Sequence, residues 1–215
     1  MNFNGLGKRL DDIDLPLVGK MIGVGEDPIH AILDTETRGS GFDSSKRPTM
    51  LFEPHVFYRL LKGAGQTDAL TKACARNIAY PKWGTLPYPK ESYTNLNAAY
   101  ALHPNFALQS ASWGLGQLMG FNFNLAGYKS TESMVVEFMQ DEEFQLKAMV
   151  RFIVSAGLDD ELRALDKAKT RDEMLIAARG FAYGYNGAGF AKNGYDVKIV
   201  DSLVKWRGIK DTPIG

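Results

Sequence analysis

Apolar residues along this chain return mostly at the three- and four-residue spacing of helices, and alternating strand patterns are scarce. In TESMVVEFMQDEEFQLKAMVRFIVSAG, residues 131–157, Val135, Phe138, Met139, Leu146, Met149, Phe152 and Ile153 recur near a period of 3.6. That pattern predicts one long central helix, capped by Thr131 and ended by Gly157. Asp27 before Pro28 reads as an N-cap followed by proline at the first helical position, and Ile29, Ile32 and Leu33 then share a face. A helix over about 28–37 is expected there, closed by Gly39 and Gly41. Pro54 opens another, with Val56, Phe57, Leu60 and Leu61 on its apolar side before Gly63. Two more are expected over 171–183 and 195–206.

Two segments lack such a period. YPKWGTLPYPKESY, residues 80–93, mixes prolines with Tyr80, Trp83, Tyr88 and Tyr93 and is too aromatic for a plain linker. SASWGLGQLMGFN, residues 110–122, interleaves glycines with Trp113, Leu115, Leu118 and Met119 and reads as a second loop. No repeat, low-complexity tract or interdomain linker breaks the chain, and only residues 208–215 read as a loose tail. With 215 residues, 45% of them hydrophobic, the expectation is one mainly α domain spanning 1–215.

Charge and cysteine content narrow the partners. Lys and Arg number 25 and so do Asp and Glu, so no broad cationic field exists to release counterions from a nucleic acid, and such a partner is not expected. Cys74 is the single cysteine, which excludes an intramolecular disulfide, fits a reducing compartment and suggests no metal knuckle. Asp11, Asp12 and Asp14 fall where a secretory signal needs an uninterrupted apolar run. Apolar stretches elsewhere stop short of the roughly 18–20 residues of a membrane span, so a soluble protein that starts in the cytoplasm is expected.

The stretch ILDTETRGSGF, residues 32–42, carries the first candidate for chemistry. Glu36 stands in the last turn of its expected helix, facing the negative end of the helix dipole, beside Ile32, Leu33 and Phe42, which withdraw it from water. Both effects favour a protonated carboxyl, the form that must donate a proton to the leaving oxygen of a glycosidic bond. On residue type alone, an ordinary solvated glutamate at a helix end reads the same.

Context adds to that residue. TETRGSGF, then SASWGLGQLMG with Ser112 76 residues after Glu36, then AYGYNGAG at 182–189, resemble in their order the blocks of the goose-type lysozyme and lytic transglycosylase superfamily. RPTMLFEPHVFYR at 47–59 is similar to the Phe-Glu-x-His signature of the phage and prophage N-acetylmuramidases, whose members are endolysins. The resemblance runs from about Leu10 to Trp206. Two blocks depart from the pattern: GLGQ stands where Gly-Leu-Met-Gln is usual, and YNGAG where Tyr-Asn-Ala-Gly is usual.

The resemblance implies a lysozyme-like, goose-type helical domain with a substrate cleft and Glu36 as general acid. It implies Ser112 and Gln117 on the floor of the cleft and Tyr185 and Asn186 flanking the cleaved bond. Gln117 reads equally as a tie between two loops. Trp113 and Trp83 offer faces for stacking on sugar, and burial is an equal reading of both. No second carboxylate is obvious. Glu53 and Asp43 are the candidates, although Glu53 also reads as a structural acid paired with Arg47 or Arg59, with His55 a satisfied neighbour. The implied activity is hydrolysis of the β-1,4 bond between N-acetylmuramic acid and N-acetylglucosamine in bacterial peptidoglycan. It would need no metal or cofactor and would be carried out by a monomer without stable membrane insertion. Delivery from the host cytoplasm through a holin-type opening is expected, and export as a toxin would leave the same sequence. Two alternatives stay open: a lytic transglycosylase forming 1,6-anhydromuramoyl ends, and a catalytically silent glycan-binding phage protein.

Overall fold

The computed structural model describes the backbone of residues 1–36 and 39–213, and the side chains of all of these except Glu36. Helices dominate: α1 (Asp14–Ile22), α2 (Glu26–Glu36), α3 (Pro54–Gly63), α4 (Thr67–Ala75), α5 (Ser92–Tyr100), α6 (Pro104–Gln109), α7 (Thr131–Phe138), α8 (Glu142–Ser155), α9 (Asp159–Lys167), α10 (Arg171–Asn186), α11 (Phe190–Asn193) and α12 (Tyr195–Trp206). Among them lies a small antiparallel sheet of β1 (Met50–Phe52), β2 (Ala111–Trp113) and β3 (Leu118–Met119), in that order. Leu51 pairs with Ser112, and Ser112 with Met119.

Helices α3 and α12 form where the apolar pattern places them, α3 with Pro54 in its first turn, where a missing N–H costs nothing. The expected long helix is instead two. Asp141 adopts an extended conformation and its carboxylate accepts from the Glu143 N–H, capping α8. The backbone around it is taken by a distant partner: Lys8 N–H donates to Gln140 O at 3.0 Å, and Glu142 N–H donates to Lys8 O at 3.0 Å. These bonds replace the helical ones, so α7 and α8 are separated. The cap of α7 is Ser130, in a reciprocal box with Ser133. Thr131, expected as the cap, turns inward and donates to Gly120 O.

Helix α2 begins at Glu26, so Asp27 belongs to its first turn and is not the N-cap. Pro28 is tolerated there because the first N–H groups of a helix have no intrahelical acceptor. Helix α10 extends through Tyr185 and Asn186 beyond its expected end at 183 and stops at Gly187, with φ of 71°. Gly184 is needed inside it because a Cβ there would overlap Leu158.

Two apolar clusters fill the molecule. One gathers α1, α2, α9, α10 and α12 around Leu146, Met149, Val150 and Ile153 of α8. The other packs Phe52, Phe57, Leu61, Leu96, Trp113, Met134 and Phe138 with the sheet, and Ala148 of α8 reaches into it. Helix α8 thus lies between both cores, the position the sequence suggested for a single longer helix. The expected loose tail is partly secured, since Thr212 N–H donates to the Glu26 carboxylate at 2.7 Å. Among the described residues no helix is long and apolar enough to cross a membrane, and no group of three or more His, Cys, Asp or Glu is arranged to hold a metal ion.

Candidate active site

Helix α2 delivers Glu36 as its last residue, with Ile32 and Leu33 buried beneath that end and Thr35 hydroxyl donating to Ala31 O at 2.8 Å. The Glu36 side chain, Thr37 and Arg38 lie outside the described residues. What holds this end of α2 is visible two residues earlier. The Asp34 carboxylate oxygen Oδ2 accepts from Ser202 Oγ (2.7 Å), Trp206 Nε1 (2.9 Å) and Lys205 Nζ (3.1 Å), all from the last turns of α12. One turn back, the His30 ring stacks on Trp206 with centroids 3.6 Å apart. Desolvation pushes the Asp34 carboxyl up, but the bonds from Ser202, Trp206 and Lys205 outweigh it and hold it below its ordinary range. Asp34→Ala should therefore lower stability by about 1–2 kcal/mol, since the site is partly solvated, and Tm by roughly 2–8 °C. A thermal melt displaced by less than a degree would show that solvent had already screened the cluster.

After α2 the chain turns through Gly39, with φ of 92°, into Ser40 and Gly41. Two buried side chains of α8 grip this turn. Glu142, 4% exposed, accepts from Gly41 N–H (2.8 Å), Leu10 N–H (3.0 Å) and Arg9 Nη1 (3.0 Å). Arg9 also bonds Ser40 Oγ. Gln145, 1% exposed, donates to Gly41 O (3.3 Å) and Phe138 O (2.9 Å) and accepts from Leu115 N–H (2.8 Å). Gln145 explains two glycines. A Cβ at Gly41 would overlap its Oε1, and one at Gly114 would stand 2.6 Å from the same oxygen.

The second glycine-rich segment, expected to be a loop, is the β2–β3 hairpin, whose strands of three and two residues are too short for an alternating pattern to betray them. Its turn is joined to the first segment directly: Gly114 N–H donates to Thr49 O at 2.8 Å, and Thr49 N–H to Gly41 O at 2.8 Å. Ser112 Oγ donates to Gln117 Oε1 at 3.0 Å, and Gln117 Nε2 donates to Gly114 O at 2.9 Å. Gln117 therefore braces the hairpin internally, with φ of 45°. The third segment meets the same turn, because Tyr185 Oη donates to Gly116 O at 2.9 Å while its ring stacks on Phe181. Asn186 follows at the end of α10. Residues 39–41 and 112–117, far apart in sequence, are thus joined by Gln145, and Tyr185 meets the same hairpin at Gly116.

Two expectations are corrected. Trp113 is fully buried, its indole N–H donating to Leu108 O at 3.0 Å, so it builds the core beneath the hairpin and offers no face to a sugar. Glu53 has neither arginine as partner. Arg47 pairs with Asp43 and Glu91, and Arg59 stands over the Phe121 ring. Instead Tyr88 Oη donates to Glu53 Oε2 at 2.5 Å, and His55 Nδ1 is 3.3 Å from the same oxygen. Glu53 follows β1 at the end remote from Thr49, about 13 Å away for four residues of extended chain.

Burial raises the Glu53 carboxyl above its ordinary value near 4.5, outweighing the Tyr88 hydrogen bond and the attraction of His55. An acid whose pKa is raised on folding stabilises the fold fully below the unfolded value, and that stability is lost as pH rises through the folded value. Relative to Glu53→Gln, the natural protein should therefore lose Tm as pH climbs from 4 toward 7. Parallel melting curves for the two proteins across that range would contradict the assignment.

Sequence reasoning missed Glu142 and Gln145, whose only signal was polar residues at core-facing positions of a helix, and the more exposed Asp34, which carried no signal. A partly open cavity of about 220 Å³ lined by Leu10, Leu15, Glu26, His30, Trp206 and Ile209 lies along the first half of α2. Its nearest lining residue on α2, His30, stands six residues before Glu36, about 9 Å along the helix.

The profile of N-acetylmuramidases matches residues 26–207 of the chain. The endolysin of Enterobacteria phage PRD1 is 38% identical over 81 residues, which are 36% of this chain and 48% of that protein. The chain thus matches about half the length of that curated relative. The crystal structure of Burkholderia AP3 phage endolysin superposes with a TM-score of 0.78 at 30% identity, over 94% of this chain and 73% of the other. The expected mainly α, lysozyme-like architecture agrees with that superposition.

Proposed function

Because the chain belongs to the N-acetylmuramidase family, we propose that it hydrolyses the β-1,4 bond between N-acetylmuramic acid and N-acetylglucosamine in bacterial peptidoglycan, as an endolysin does. The observation that carries this reading is the convergence of the three glycine-rich segments on one hairpin: Gln145 ties Gly41, five residues past Glu36, to Leu115, and Tyr185 bonds Gly116 beside it. Glu36 is the general acid, which protonates the glycosidic oxygen as the bond breaks. The carbonyl end of α2 disfavours a negative charge there and so favours the form that still holds its proton.

Ser112 and Gln117 form the floor of the cleft, and their mutual hydrogen bond fixes the amide so that its remaining acceptor capacity meets a sugar at a set angle. Tyr185 and Asn186 border the cleaved bond, Tyr185 held by Gly116 and by its stacking on Phe181. Glu53 takes no part in the first proton transfer, being engaged by Tyr88 and His55. Digestion of purified peptidoglycan tests the reading. New reducing ends at N-acetylmuramic acid are expected. Reducing ends at N-acetylglucosamine, 1,6-anhydro ends, or no products would each overturn it.

A further inference from the structure

The loop from Tyr80 to Lys90 is left unused by this chemistry, and it is ordered. Tyr80 is buried, and Thr85 Oγ1 donates to Lys82 O at 2.7 Å. At its tip Trp83 is 72% exposed, and its indole lies near the Tyr88 hydroxyl. Tyr88 in turn donates to Glu53 Oε2. Tyr88, Glu53 and His55 thus form a polar cluster beside a large aromatic face that Trp83 turns to solvent. An exposed indole beside polar groups pairs an apolar face with a polar rim, the combination that receives a flat amphipathic partner.

We propose that Trp83, with Tyr88, Glu53 and His55, forms a second sugar-binding platform, distinct from the Glu36 cleft, that takes an N-acetylated pyranose of the glycan strand. A pyranose has an apolar C–H face and an edge of hydroxyl groups. Trp83 supplies the matching flat surface. Glu53 Oε1, which makes no hydrogen bond among the described residues, supplies an acceptor for a hydroxyl at the edge. Lys82 and Lys90, both exposed on the same loop, complement the carboxylates that a cell-wall glycan carries on its lactyl and peptide groups. A loop built to enter a lipid bilayer would not set a carboxylate and an imidazole behind its tryptophan, because desolvating them there is costly. Glu53 and His55 follow the end of β1 remote from the Thr49–Gly41 junction.

The platform rests on the glycan-cleaving reading, and its test is separable from it. In a Glu36→Gln background, which removes cutting from the measurement, the full chain is sedimented with purified peptidoglycan sacculi and titrated by NMR with tri-N-acetylchitotriose. Adding Trp83→Ala should weaken binding to sacculi about tenfold, the scale of one aromatic contact, and Trp83→Phe should restore most of it. The trisaccharide should shift the Trp83 indole N–H resonance. Undiminished sedimentation of the Trp83→Ala protein, a silent Trp83 resonance, or binding that appears only with vesicles of anionic phosphatidylglycerol would each overturn the platform. Failure of the enzymatic reading would show itself separately, as absence of products from the natural protein.

Discussion

Glu36→Gln should fold as the natural protein does and release reducing ends from peptidoglycan at least a hundredfold more slowly. The amide keeps the shape of the side chain but has no acidic proton, and general acid catalysis accounts for about 10²- to 10⁴-fold in rate. The residue ends α2, whose last turns are secured by Asp34 on α12 and by Ile32 and Leu33 in the core, so the substitution removes a proton donor and not a structural support. The measurement is reducing-sugar release at saturating sacculi, with circular dichroism as the check on folding. Activity above about one hundredth of the natural level in a folded variant would remove Glu36 from the role.

Glu142→Ala should give the largest loss of stability among single changes around the site. Its carboxylate is buried and accepts from the Gly41 and Leu10 backbones and from Arg9. Each buried donor left without an acceptor costs about 1–3 kcal/mol, and breaking a buried charged network about 3–5 kcal/mol. With roughly 2–4 °C of Tm per kcal/mol in a protein of this size, a fall of about 6–20 °C is expected. Activity should fall as well at temperatures where the variant is folded, because Gly41 lies five residues past Glu36 and would lose its tie to α8. Glu142→Gln, which keeps one acceptor oxygen and a donor that Arg9 cannot use, should lie between the two. As a contrast, the more solvated Glu143–Lys147 pair on the same helix should contribute under about 1 kcal/mol. Should the Glu142→Ala melt fall by less than about 3 °C, the turn after α2 would be held by Gln145 and Thr49 alone.

The site was half legible before any coordinates. The segments TETRGSGF, SASWGLGQLMG and AYGYNGAG stand out in the sequence through their glycines and polar residues, and the structure brings them together. Why glycine stands at 41 and 114 was not legible, since the obstacle is Gln145, 104 positions from Gly41. The two tryptophans make the same point. Trp83 and Trp113 both sit in aromatic, glycine-containing segments, yet one is 72% exposed and the other fully buried. Nothing within a few residues of either distinguishes them. What does is the apolar cluster of Phe52, Phe57, Leu96 and Met134 assembled around one of them.

By itself the sequence determined the mainly helical class, the start of α3 at Pro54, the span of α12, the glutamate at the end of α2 and the order of the three glycine-rich segments. These are consequences of local periodicity, of proline's missing N–H and of residue identity, which neighbours along the chain suffice to express. Tertiary structure decided the break between α7 and α8, the pairing of three strands too short to show alternation, the partners of Glu53 and the grip of Glu142 and Gln145 on the turn at Gly41. Each depends on a donor, an acceptor or a packing surface contributed by a remote segment. A buried polar group takes whichever partner the fold brings to it, and local sequence carries no record of which that will be.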